Sequence, residues 1–172
     1  MQITYISSYV PRKCGIATYT RDLAVEAQIQ GNQISIAALE NPSILHSYSA
    51  PVSYIINQSN KMDYLKVAKE INNSSTEVVH LQHEFGIFGG HDGSFILSLA
   101  KLLIKPMIVT FHTVLLKPSK SQKKIIQELA RLSRKVIVMD KMAKDRLENI
   151  YGLNVEDLTI ILHGAPVIGK AD

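Results

Sequence analysis

The stretch "PMIVTFHT" (106–113) is an apolar run, interrupted only by Thr110, that ends abruptly in histidine and threonine. A half-exposed strand would alternate polar and apolar side chains. A continuous run is the mark of a strand buried on both faces, as in a parallel sheet covered by helices. Working outward, the same pattern recurs in ITYIS (3–7), QISIAAL (33–39), EVVHLQ (77–82), KVIVM (135–139) and LTIIL (158–162), with one short strand over VSYII (52–56). Amphipathic stretches separate these runs. Ile16, Tyr19, Leu23, Ala24 and Ala27 follow helical spacing until Gly31, and Met62, Leu65, Ala68 and Ile71 do so until Asn-Asn-Ser-Ser. The stretch 94–104 is apolar nearly all round and reads as a buried helix. Helices are also expected over 120–134, with Ile125, Ile126, Leu129 and Leu132 inward, and over 141–151. Alternating strand and helix predicts an α/β fold, a Rossmann-like doubly wound parallel sheet with helices on both faces.

The 172 residues suit one domain over 1–172. No apolar run is long enough to span a membrane. The start, MQITYISSYV, reads as a first strand and not as a signal peptide, because no basic segment precedes the apolar one. One cysteine, Cys14, excludes a disulfide framework and fits a reducing cytoplasm. Between Lys117 and Arg146 ten Lys/Arg face three acids, a local balance of +7. That segment reads as a solvated helical face or as a surface for an anionic membrane, on the inner face of which the protein would sit peripherally. It holds no aromatic residue on which bases could stack, so no nucleic-acid partner is expected.

In open parallel sheets ligands bind beyond the carboxyl ends of the strands. The segments to inspect are therefore 9–16, 83–93, 112–118, Asp140 and 163–166. Four of these ends carry glycine, histidine or both, which favours a functional rim over chance.

Several chemistries are disfavoured. His80 and His83 are three apart on a strand and point to opposite faces. His80 reads as a hydrogen-bonded interior histidine, whereas His83, Glu84, His91 and Asp92 gather in a loop without metal-binding spacing, so no metal is expected. Asp92 reads as a helix cap. KCGIAT holds a single Gly15, too little for a dinucleotide fingerprint but enough for one close approach of backbone to a phosphate at a helix N-terminus. Cys14 sits before that helix, yet the spacing to Arg21 does not match a cysteine phosphatase, and it reads as an incidental loop residue. No nucleophile-elbow serine and no paired carboxylates stand at the strand ends.

Five blocks in order, VPRKCGIATYTRDL (10–23), VVHLQHEFGIFGG (78–90), PMIVTFHTVLLKPS (106–119), VIVMDKMA (136–143) and IILHGAP (160–166), resemble the N-terminal domain of family 4 (group 1) glycosyltransferases of the GT-B fold. The resemblance spans nearly the whole chain. It implies the acceptor-side half of a retaining enzyme that moves a sugar from a nucleotide-sugar donor to a glycan or lipid-linked acceptor. It implies no metal and no other cofactor, and a separate C-terminal donor domain, in cis or in trans, that these 172 residues lack. The isolated chain would then be inactive. Carried over by position, His112 becomes the catalytic histidine near the reacting sugar. Gly15, Ile16 and Ala17 become the approach to the donor diphosphate, and His83, Glu84, Phe85, Gly86 and Thr113 the acceptor side. A non-catalytic Rossmann-like binding or regulatory module is the alternative the residues leave open.

Overall fold

The computed structural model describes residues 1–44, 46–154 and 158–164. Seven strands form one sheet: β1 (Gln2–Ser7), β2 (Gln33–Glu40), β3 (Val52–Asn57), β4 (Val78–His83), β5 (Met107–Phe111), β6 (Lys135–Val138) and β7 (Leu158–Ile160). Every neighbouring pair is parallel, and the spatial order is β3-β2-β1-β4-β5-β6-β7. Five α-helices connect them: α1 (Gly15–Ile29), α2 (Lys61–Asn73), α3 (Ile96–Ala100), α4 (Lys120–Leu132) and α5 (Lys141–Asn149).

The helices divide unevenly between the two faces. On one face Tyr5, Ile36 and Ala38 pack with Ala24 and Leu23 of α1. On the other, Ile6, Leu39, Leu81, Val109 and Val138 share one core with Tyr64 and Ile71 of α2, Leu99 of α3, Ile126 and Leu129 of α4 and Leu147 of α5. Full burial of each such aliphatic side chain contributes about 1.5–3 kcal/mol. The chain thus leaves β1 onto one face and β4 onto the other. The strand order reverses at that point, and in open parallel sheets such a switch point, here beyond the carboxyl ends of β1 and β4, is where the binding crevice lies.

The long helix expected over 94–104 is only five residues in α3. Before it, the chain winds through two short 3-10 turns, Phe85–Ile87 and His91–Gly93, with positive φ at Gly90, Asp92 and Gly93. After it, the Asn72 side chain donates to Leu102 O (2.8 Å) and accepts from Ile104 N (3.0 Å), which ends the helix. Asp92 does not cap α3, since Phe95 occupies that position without a side-chain bond. Its carboxylate accepts from the Ser119 hydroxyl at 2.8 Å instead. Ser119 is itself the N-cap of α4, in a capping box with Gln122. Asp92 therefore ties the loop after β4 to the loop after β5. The strand expected over 158–162 ends at Ile160, and Ala165 and Pro166 lie outside the described residues.

A second tie joins the other loops. Arg12, after β1, donates to Leu39 O and to Gln58 Oε1, both at 3.0 Å. Tyr64 Oη donates to Gln58 O (3.0 Å) and accepts from Gly89 N (3.1 Å). Gly89 sits so close that a Cβ there would lie 1.8 Å from Gln58 O, whereas at Gly86 it would meet nothing within 4 Å. Gly89→Ala is therefore expected to destabilise the fold by ~2 kcal/mol or more, and Gly86→Ala by less than about 0.5 kcal/mol, measured as urea unfolding midpoints. Equal midpoints for the two variants would show that the Gly89 contact does not constrain the fold.

Candidate functional site

Period-two alternation along β4 sends His80 and Gln82 to the α1 face and His83 to the other. Along β5, Thr110 and the following His112 share the first face, and Phe111 takes the second. Parallel pairing of β4 with β5 brings these residues side by side. His80 Nε2 and Thr110 Oγ1 are 2.9 Å apart, so His80 is a hydrogen-bonded interior histidine. Burial, reinforced by His112, lowers its pKa to about 4.

Two residues nearer the rim on each strand, His112 Nε2 lies 2.9 Å from Gln82 Oε1, and the His112 amide donates to His83 O at 3.0 Å. The Tyr19 ring of α1 meets His112 edge-on at 4.9 Å and His163 at 5.1 Å. Helix α1, the end of β4 and the segments after β5 and β7 thus converge on Tyr19 and His112. Burial, with the charge of His163 adding to it, lowers the His112 pKa to about 4. The imidazole is neutral at pH 7, which suits it to accept or donate a hydrogen bond rather than to supply a charge.

Gly15 opens α1, and a Cβ on it would meet nothing within 4 Å. The backbone there is open to close approach by a ligand. Ile16 is half-buried and Ala17 fully buried, so only their amides can serve an anion at the helix start. Cys14 precedes them. Burial raises its thiol pKa, but the Ser8 hydroxyl at 3.5 Å, the amides of Ala17 and Ile16 and the Arg12 charge outweigh that and hold it below the usual value.

Glu84 follows β4 and accepts a short hydrogen bond from Thr113 Oγ1, joining two rim loops. Phe85 is half-buried and Gly86 exposed on the next 3-10 turn. His83 is a correction to the sequence reading. It does not face the crevice but is 0 % exposed beneath it, among the rings of Phe85 (4.9 Å), Phe88 (5.5 Å) and Phe111 (5.5 Å). Neither ring nitrogen has a hydrogen-bond partner among the described residues. Its odd separation from His80 already put it on the opposite face, the one that α2, α3, α4 and α5 cover.

Gln82 and Tyr19 are the site residues the sequence reading missed. Gln82 is a lone amide at the end of an apolar strand, two residues from His80, and that spacing was the available signal. Tyr19 has the spacing of a core residue, and only the helix's position over β1 turns it toward the rim. Among the described residues no three His, Cys, Asp or Glu gather as a metal site.

A parallel α/β sheet with its polar groups at a switch point is the architecture of the Rossmann-like domains of GT-B glycosyltransferases. The chain belongs to Glycosyltransferase Family 4, whose family model matches residues 14–167. Solved structures with the same fold include a glycosyltransferase from Rickettsia africae ESF-5, at 18% identity and a TM-score of 0.62, covering 94% of this chain and 42% of that one. An alpha-glucosyltransferase in complex with UDP and a 13-mer DNA containing a HMU base matches at 10% identity and a TM-score of 0.65, over 96% of this chain and 43% of that one. An alpha-glucosyltransferase in complex with UDP-glucose and DNA containing an abasic site matches at 11% identity and 0.60, over 94% and 42%. No curated protein matches. At these identities the likeness establishes the fold, and the chain spans less than half the length of each of these proteins.

Burial lowers the His83 pKa from 6.5 to about 3, with His112 adding to it. The folded state keeps this ring neutral while the unfolded chain takes up a proton below pH 6.5. Its contribution to stability is therefore present above pH 6.5 and is lost as pH falls toward 3. By pH 5 the loss is about 2 kcal/mol. His83→Phe should remove this part of the acid sensitivity, so the stability gap between variant and parent shifts by that amount between pH 7 and pH 5 in urea titrations. A gap independent of pH would mean that His83 is solvated or paired in solution.

Proposed function

We propose that this chain is the acceptor-binding half of a retaining glycosyltransferase. It would move a hexosyl group from a nucleotide-sugar to a glycan or lipid-linked acceptor. The observation that carries this reading is the neutral His112 at the switch-point crevice, on the same sheet edge as the open Gly15 helix start. Family membership supplies glycosyl transfer, and the UDP and UDP-glucose bound by the alpha-glucosyltransferases support a nucleotide-sugar donor.

In this reading His112 hydrogen-bonds a hydroxyl of the transferred sugar and aligns it. A fixed partner of this kind acts without reorganising as charge develops. The Gly15, Ile16 and Ala17 amides meet the donor diphosphate, where the positive end of α1 favours the charge that builds as the sugar leaves. No metal is assigned to that task. Glu84, Phe85, Gly86 and Thr113 shape the acceptor side, and His83 supports them from below. A C-terminal donor domain, in cis or in trans, completes the site, in keeping with neighbours more than twice as long as this chain. The acceptor is assigned as carbohydrate, not nucleic acid, because the basic segment lacks stacking aromatics. The DNA belongs to the alpha-glucosyltransferase complexes.

The test is transfer by the assembled two-domain enzyme. His112→Ala should lower turnover by about a hundredfold or more, with the circular dichroism spectrum unchanged. Gly15→Ala has room for its methyl in the free chain, so folding should be intact while donor affinity falls. The 172-residue chain alone should be inactive. Near-normal turnover of His112→Ala would remove that residue from the mechanism.

The basic segment is assigned to an anionic membrane surface. Lys117, Lys120, Lys124 and Lys141 are exposed, beside exposed Leu116 and Met142. Arg146 is committed elsewhere, donating to Val114 O at 2.8 Å. No described helix is long and apolar enough to cross a membrane. Sedimentation with phosphatidylserine vesicles at low salt, lost near 0.5 M salt, is the expected result, with the protein peripheral on the cytoplasmic face. Failure to sediment at low salt would leave a solvated helix face.

A further inference from the structure

We propose that Gln82 is the positioning residue of His112, holding the ring with its proton on Nε2 and its Nδ1 lone pair free to accept. For its consequence in catalysis this rests on the assignment of His112 above. The geometry is specific. Gln82 is 0 % exposed at the end of β4, and its Oε1 lies 2.9 Å from His112 Nε2. A carbonyl oxygen cannot donate, so the proton between them belongs to the imidazole. In a neutral ring the other nitrogen is then an acceptor, the state suited to receive a hydrogen bond from a sugar hydroxyl.

The choice of an amide over a carboxylate has a physical meaning. A carboxylate at this distance would favour imidazolium, and a charged ring has no free lone pair. Gln82 orients the ring without charging it. The remaining groups around His112 act the same way. Tyr19 from α1 offers a ring edge, and His80 and His83 of β4 and His163 after β7 each oppose a further positive charge. Of the rim carboxylates, Glu84 is occupied by the Thr113 hydroxyl and Asp92 by the Ser119 hydroxyl. The backbone that carries the ring is fixed as well, the His112 amide donating to His83 O.

The test needs no substrate. On the 172-residue chain, ¹⁵N-detected imidazole spectra should show His112 as the Nε2–H tautomer. Gln82→Glu should raise the His112 pKa by about one to three units. Gln82→Met, similar in length and apolar, should release the tautomer to a mixture, and it carries the test if the glutamate variant does not fold. A His112 proton on Nδ1 in the parent, or spectra unmoved by either substitution, would overturn the proposal. In the assembled enzyme, Gln82→Glu should move the acid limb of the rate–pH profile upward by the same shift. A uniform loss at every pH would mark Gln82 as merely structural. The spectra thus judge Gln82 even where the transfer assay rejects the proposed function.

Discussion

The parallel register of β4 against β5 is the constraint on which the site depends. It sets His80 beside Thr110 and Gln82 beside His112 on one face, and places His83 next to Phe111 on the other. A slip of one residue would exchange the two sets. The buried histidine would then face the crevice, and the crevice histidine would be forced into the aliphatic core. Register is held by burial on the face that α2, α3, α4 and α5 cover, where Val79, Leu81, Met107 and Val109 pack into one core.

Around that pair, the rim is held by polar ties between loops and not by the sheet. Arg12, Gln58, Tyr64 and Gly89 join the loops after β1, β3 and β4. Asp92 and Ser119 join the loops after β4 and β5, and Glu84 and Thr113 do so again closer to the crevice. Backbone beyond the strand ends has donors and acceptors that the sheet no longer satisfies, and the bonds to Leu39 O, Gln58 O and Gly89 N meet part of that need. The glycine-rich stretch after β4 is therefore a structural strap. Gly89 is required for close packing on Gln58, and Gly90 and Gly93 for their positive φ.

The electrostatics follow from the same arrangement. Three histidines lie along β4 and just after β5, His80 and His112 on the α1 face and His83 on the other, and His112 discourages both of the others from charging. Desolvation is the largest cause for all three. A site built this way presents neutral hydrogen-bonding groups at physiological pH. In the proposed function, negative charge on a donor is assigned to the helix start at Gly15.

Much of the fold was legible in the sequence because burial writes itself into periodicity. Short apolar runs bounded by turn signals fit strands covered on both sides, and their alternation with amphipathic stretches implies a parallel sheet with its functional edge at the carboxyl ends. The interior role of His80 and the opposed directions of His80 and His83 follow from period two alone. The sequence by itself therefore determined the fold class, the edge that matters and the segments lining it. Only the tertiary structure decided that His83 lies beneath the rim, that Gln82 and not a carboxylate faces His112, that Tyr19 turns toward the crevice, and that Asp92 holds Ser119 instead of capping a helix. Each of these depends on which strand or loop is the neighbour in space. Partners some thirty residues apart are chosen by the folding of the whole sheet, and no local pattern records that choice.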